Sequence, residues 1–91
     1  MTEYKIKNVS IIGTSSSPET IAYNTLTDVN GEVLPTLFTA IPFIGWVGMG
    51  QDRSLYLISR TTSNMIVAMS DYGDYTHTPG LYDFIITGDP A

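Results

Sequence analysis

The sequence contains no cysteine, and this absence excludes two common ways of stabilising a small fold. A chain of 91 residues without a thiol has neither a disulfide framework nor a zinc site built on thiolates. Its stability must come from one modest hydrophobic core, and its length predicts a single domain over residues 1–91. We also expect no cofactor, because no phosphate-cradling or metal-binding motif is present.

Charged side chains are scarce as well, at 14% of the sequence against about 25% in a typical soluble domain. Nine acidic residues oppose four basic ones, so the net charge is −5. The chain lacks the basic footprint that binds phosphates, which argues against nucleic acid as a partner, and anionic lipid would repel it. The first residues contain no apolar run typical of a signal peptide. We therefore expect the chain to be made and folded in the cytoplasm.

Charge is missing altogether from Val33 to Gln51. Two prolines and three glycines in this stretch exclude a long helix and interrupt it too often for a transmembrane span. The stretch includes the only tryptophan, Trp46, close to Phe38 and Phe43. Such a segment needs cover from the chain's own core, from another chain or from lipid. We favour core and protein interface, and disfavour a membrane, because no basic residues flank it.

Short apolar runs between turn signals predict an all-β fold. Their spacing is typical of a small antiparallel β-sandwich or partly open barrel of about six or seven short strands. In the first strand the alternation changes phase near Asn8, which predicts a β-bulge. Further strands are predicted at residues 43–47, 53–60, 65–70 and 81–87. Residues 53–60 and 65–70 are apolar on both faces, which predicts central strands.

The dipeptide Asn30–Gly31 is the strongest turn signal in the chain. It predicts a hairpin between residues 20–29 and 32–40, and a two-residue loop would place Val29 opposite Glu32. Proline lacks the N–H that a central strand needs, so Pro35 predicts that the second strand lies at an edge of its sheet. An uncharged edge strand invites pairing or packing by another chain.

These features favour a non-enzymatic structural subunit that works by assembling with itself and with other protein subunits. A viral or phage capsid decoration (cement) protein would fit the few charges, the many hydroxyl side chains, the net acidity and the unprotected edge, by physical type alone. We expect such a protein on the virion surface after synthesis in the host cytoplasm, with a cytoplasmic location as the alternative. The predicted contact residues are Leu34, Phe38, Phe43, Ile44 and Trp46.

A carbohydrate- or small-ligand-binding β module is the alternative function. Tyr72, Asp74 and Tyr75 combine aromatic faces with a carboxylate in one polar segment, and Trp46 is the alternative stacking residue. Aromatic and polar side chains in loops suit stacking and hydrogen bonding to a sugar, and they serve equally well at protein interfaces.

An enzyme is the third reading of the sequence. Asp71, Asp74, His77 and Asp83 have side chains that bind Ca²⁺ or a transition metal, as a metal-dependent hydrolase requires. Their spacing matches no known metal motif, and acids in such loops are typical turn formers. His77 also lacks a G-x-S-x-G serine as a nucleophilic partner. We therefore predict no metal site and no catalytic residue.

Overall fold

The computed structural model describes residues 1–48, 55–69 and 80–91. Within them six β-strands form two antiparallel sheets of three strands each. The strands are β1 Thr2–Ile11, β2 Glu19–Ala22, β3 Phe43–Gly48, β4 Leu55–Arg60, β5 Asn64–Met69 and β6 Gly80–Gly88. A 3-10 turn, Tyr23–Thr25, follows β2. The predicted all-β fold of short antiparallel strands is confirmed.

Each sheet has a strand from the later part of the chain at its centre. In the first sheet, here called sheet A, β6 lies between β1 and β3, and in the second, sheet B, β5 lies between β2 and β4. β6 alternates as predicted, with Tyr82, Phe84 and Ile86 buried. The strands predicted at residues 53–60 and 65–70 correspond to β4 and β5. The prediction that both are central is correct for β5 only. β4 is an edge strand of the described sheet.

A single hydrophobic cluster joins the inward faces of both sheets, which makes the fold a sandwich. The Phe38 ring packs edge-on against Tyr4 and Tyr23, with ring centroids 6.1 and 5.2 Å apart. Tyr23 is fully buried, and its hydroxyl donates a hydrogen bond of 2.9 Å to the carbonyl of Thr61. Three aromatic rings therefore form the middle of the core, and the buried Tyr23 hydroxyl has an acceptor.

The predicted bulge in β1 is confirmed. The pairing of β1 with β6 shifts between Ile6 and Val9, and Asn8 adopts a φ of 57°, a left-handed conformation that asparagine tolerates. The Asp83 carboxylate accepts the Asn8 N–H at 3.0 Å and the Lys7 ammonium at 3.2 Å. These two contacts, the Asn8 N–H foremost, hold the pKa of Asp83 below its usual range.

The turn at Asn30–Gly31 forms, but its loop is one residue longer than predicted. The Asp28 N–H donates to the Glu32 carbonyl at 2.9 Å, which leaves three residues in the loop. Gly31 has a φ of 83°, as the last residue of a three-residue hairpin loop requires. The Asp28 carboxylate causes the difference, because it accepts the N–H groups of Asn30 and Glu32, each at 2.9 Å.

Neither predicted hairpin strand forms as a whole. The first, residues 20–29, is a strand only to Ala22, where a 3-10 turn follows, and the second, residues 32–40, is wrong. After an isolated bridge between Thr27 and Val33, residues 34–42 form an irregular segment that closes one end of the sandwich. There the Phe38 N–H donates to the Thr62 carbonyl and the Thr39 N–H donates to the Asp89 carbonyl, both at 2.9 Å. Because these backbone groups bond to the turn between β4 and β5 and to the residue after β6, the segment does not form a sheet edge.

Two predicted contact residues fall in this irregular segment and are corrected here. Leu34 is 2% exposed and Phe38 is 1% exposed. Both belong to the hydrophobic core of the chain itself. The segment turns these side chains inward because its backbone is bonded across the end of the sandwich, so neither side chain is on a surface that another chain can reach.

Candidate interaction surface

β3 is the least protected strand in the described part of the molecule. It pairs with β6 from Phe43↔Thr87 to Gly48↔Tyr82 without a register shift. Its other lateral edge has no strand partner among the described residues. β3 also contains no charge, proline or bulge, which are the devices that usually keep an exposed edge from pairing with another chain.

The two faces of β3 differ in exposure. Phe43 and Val47 point outward and are 60% and 66% exposed. Ile44 and Trp46 point inward and are only partly buried against the core. The outward-facing Ile85 of the neighbouring β6 is 45% exposed and adjoins the strand. We call these five residues, Phe43, Ile44, Trp46, Val47 and Ile85, the β3 patch.

Gly45 leaves a gap in the middle of the β3 patch. It is opposite Ile85, which is itself opposite Lys5 of β1. A Cβ atom added at Gly45 would meet no other atom within 4 Å. The outer face of sheet A therefore has a shallow notch between Phe43 and Val47, with room for a side chain from another molecule.

Arg60, at the end of β4, adds a positive charge beside the β3 patch. Its guanidinium donates a hydrogen bond to the carbonyl of Pro42, the residue before β3. The guanidinium carbon lies 5.7 Å from the centre of the Phe43 ring, which is within cation–π range. Arg60 thus holds Phe43 in place and remains exposed to solvent.

The open edge continues into a shallow cleft between the two sheets. Leu57 of β4 lines this cleft together with Ile44, Trp46 and Arg60. Leu57 is partly buried and packs against the core. The cleft therefore gives another molecule access to apolar side chains of both sheets, since neither β3 nor β4 is covered by a further strand in the described sheets.

The sequence predicts part of this surface. Of the predicted contact residues, Phe43, Ile44 and Trp46 lie in the β3 patch, and their contact with another chain stays a prediction. Val47 and Ile85 were missed. Strand alternation starting at Phe43 would have placed Val47 on the outer face, whereas Ile85 joins the patch only through the pairing of β3 with β6.

The predicted ligand-binding residues Tyr72, Asp74 and Tyr75, together with Asp71 and His77, lie outside the described residues. The carbohydrate hypothesis therefore stays a prediction. The one described member of the proposed metal group is Asp83, whose carboxylate binds the bulge of β1. Across residues 1–48, 55–69 and 80–91, no three His, Cys, Asp or Glu side chains come together as a metal site.

Fold and surface together define a class, that of a small all-β sandwich with an unprotected apolar edge strand. Comparison with protein-family models, with curated proteins and with solved structures finds no match for this chain. In the described part of the chain, no helix has the length and apolar character needed to cross a membrane. What the protein does must therefore be inferred from its own surface.

Proposed function

We propose that this protein is a non-enzymatic structural subunit that assembles with other protein subunits through the β3 patch. The main support is the exposure of Phe43 and Val47, at 60% and 66%, on an edge strand without protection. Exposed apolar residues are common when they are isolated. An apolar strip along a free sheet edge is instead typical of a surface that another chain covers.

The chemistry of the β3 patch suits a protein partner. Interface cores are enriched in aromatic residues and arginine and depleted of other charges. The patch contains the aromatic residues Phe43 and Trp46, has Arg60 at its border, and has no charged residue within β3. Aromatic anchors of this kind supply much of the binding energy at protein interfaces.

The particular form that we propose is a decoration protein on a viral or phage capsid. Its support is compositional: few charges, a net charge of −5 and an uncharged strip that needs a fixed neighbour. Net acidity keeps the free subunit soluble before it docks. Docking then covers the apolar strip.

The test is the mass of the purified chain by native mass spectrometry, from nanomolar to micromolar concentration. We expect an oligomer that dissociates on dilution. The double variant Phe43→Thr, Val47→Thr should dissociate at a higher concentration, because both substitutions make the outer face of β3 polar and keep its strand propensity.

The matched control is Ile58→Thr on β4, an edge strand of sheet B. The Ile58 side chain is 46% exposed, so this substitution also removes exposed apolar surface, but outside the β3 patch. Its mass distribution should equal that of the unchanged chain. A monomer at every concentration, or an oligomer that the β3 variant leaves intact, would contradict the proposal.

A further inference from the structure

The two lateral edges of sheet A present different side chains, acidic at one edge and apolar at the other. Residues 28–33, here called the acidic turn, lie beside β1, where the Val29 N–H donates to the Lys5 carbonyl at 2.8 Å. The order across the sheet is therefore acidic turn, β1, β6, β3. The acidic turn and the β3 patch lie at opposite sides of the same sheet.

The acidic turn presents a carboxylate between two exposed valines. Val29 is 53% exposed, Val33 is 58% exposed, and Glu32 is also exposed. The Asp28 carboxylate is already occupied by the N–H groups of the turn. The Glu32 carboxylate, in contrast, makes no ion pair with any described residue.

The β3 patch presents the complementary groups. Phe43 and Val47 are its exposed apolar side chains, and Arg60 is the cation beside Phe43. The Arg60 guanidinium donates to the Pro42 carbonyl and makes no ion pair with a described carboxylate. Since a guanidinium has five N–H donors, it can still bind a carboxylate through two of them.

We propose that the β3 patch of one copy binds the acidic turn of a second copy, with Glu32 paired to Arg60 and the two valines packed against Phe43 and Val47. This proposal rests on the assembly function above and names the partner as the chain itself. Each edge combines a charge with exposed apolar side chains, and the two charges are opposite in sign. A single contact therefore pairs the charges and covers the apolar side chains of both edges.

A two-fold contact between two β3 edges fits the same residues less well. It would cover Phe43 and Val47, but both Arg60 side chains would lack a carboxylate and both acidic turns would stay exposed. Each chain has a net charge of −5, so copies repel one another at long range. A contact that pairs a cation with an anion reduces this repulsion locally.

The geometry has a consequence for the size of the assembly. A head-to-tail contact uses two different surfaces, so every bound copy still offers one free edge. Repetition of the contact closes a ring if the rotation between copies is suitable, and otherwise it gives a filament. We infer more than two copies in the assembly, because a dimer built this way leaves one patch uncovered.

Charge reversal in the full-length chain tests the pairing. The variants are Glu32→Arg, Arg60→Glu and the two combined, each measured by native mass spectrometry over a dilution series. Each single variant should raise the concentration at which the oligomer dissociates by about tenfold, because two like charges then meet. The combined variant should restore assembly, since the opposite charges face each other again with their signs exchanged.

Glu3→Arg is the control for net charge. Glu3 lies on β1, its side chain is 54% exposed, and its nearest cation is Lys5 at 3.9 Å. The substitution changes the charge of the chain as much as Glu32→Arg does, and it should leave assembly unchanged. Circular dichroism and melting of each variant confirm that the sandwich remains folded.

The outcomes separate this proposal from the proposed function. If the β3 variant Phe43→Thr, Val47→Thr abolishes assembly and Glu32→Arg does not, the subunit function stands and the head-to-tail contact is wrong. A combined variant that assembles no better than the single ones overturns the Glu32–Arg60 pairing. A chain that is monomeric throughout overturns both proposals.

Discussion

The two halves of one uncharged stretch place their phenylalanines in opposite environments. The irregular segment before Phe43 buries Leu34 and Phe38, whereas β3 exposes Phe43 and Val47. Composition does not separate the halves, since both combine aromatic, aliphatic and small residues without charge. The first half is hydrogen-bonded across the end of both sheets, and the second is paired on one side only. Phe38 therefore belongs to the core and Phe43 to the surface, although Val33, Leu37 and Ile41 of the first half are also about half exposed.

The largest expected difference is between two phenylalanines. Phe38→Ala should lower the free energy of unfolding by about 3–5 kcal/mol, because it empties the space between the Tyr4 and Tyr23 rings. Phe43→Ala should cost less than about 1 kcal/mol, as an exposed substitution usually does, and should weaken assembly. Urea denaturation at a concentration where the chain is monomeric gives both values, since assembly would add to apparent stability. Equal losses would contradict the division of the stretch into core and surface.

The next effect concerns the buried neighbour of Phe38. Burial raises the pKa of Tyr23 to about 12 from 10.0. Because the folded-state pKa is above the unfolded-state value, the contribution of Tyr23 to stability is complete below pH 10 and is lost as the pH rises from there through about 12. Tyr23→Phe should cost about 1–1.5 kcal/mol at neutral pH, through loss of the hydrogen bond to Thr61.

The same variant should lose less stability than the parent chain when the pH is raised above 10. Urea denaturation at neutral pH and between the two pKa values measures both effects. Tyr56→Phe is the control at neutral pH, because it removes a surface hydroxyl that donates to Ser15 at 2.8 Å, and it should cost less. An alkaline loss in Tyr23→Phe as steep as in the parent would show that Tyr23 is not the titrating group.

A smaller effect is expected at the turn that leads into the first half of the stretch. Gly31→Ala should cost about 1 kcal/mol, because Gly31 has a φ of 83° and a Cβ atom is strained in that conformation. No atom lies within 4 Å of the added Cβ, so the cost is one of backbone conformation alone. Thermal unfolding measures it. No loss of stability would mean that the three-residue loop relaxes into another turn.

The smallest effect is expected in the second half of the stretch. Gly45→Ala should raise the free energy of unfolding by about 0.5 kcal/mol, because alanine has less conformational entropy to lose in a strand and the added Cβ enters open space. Thermal unfolding of the monomer, with Gly31→Ala as the opposing comparison, tests this. A clear destabilisation would contradict an open outer face on β3.

Local pattern was sufficient for the elements that depend on local residues. The alternation of β6 and the bulge at Asn8 were both predicted, since each is visible in neighbouring residues. The start of β3 at Phe43 was also predicted, from the short apolar run after Pro42. The hairpin register was not, because the Asp28 side chain rather than the Asn–Gly pair determines the length of the loop.

The candidate surface depends more on residues far apart in the chain. Leu34 and Phe38 were expected at an interface, and the backbone groups that hold their segment inward belong to Thr62 and Asp89. Arg60 reaches the β3 patch from the other sheet. These long-range contacts produce no periodic pattern in the sequence. Composition therefore identified the uncharged stretch but could not predict which of its residues are buried and which are exposed.

The order of strands in sheet A also determines when that sheet can form during synthesis. β6 is the last described strand in the chain, and it is the common partner of β1 and β3. Thr2 pairs with Gly88, so the nascent chain must hold β1 and β3 without this partner until residues 80–88 have been made. Such long-range pairing is typical of folding on the millisecond-to-second scale. The uncharged β3, with both of its edges open in that interval, is then the described strand most prone to aggregate. The time that translation takes from β3 to the end of β6 therefore becomes a determinant of soluble yield.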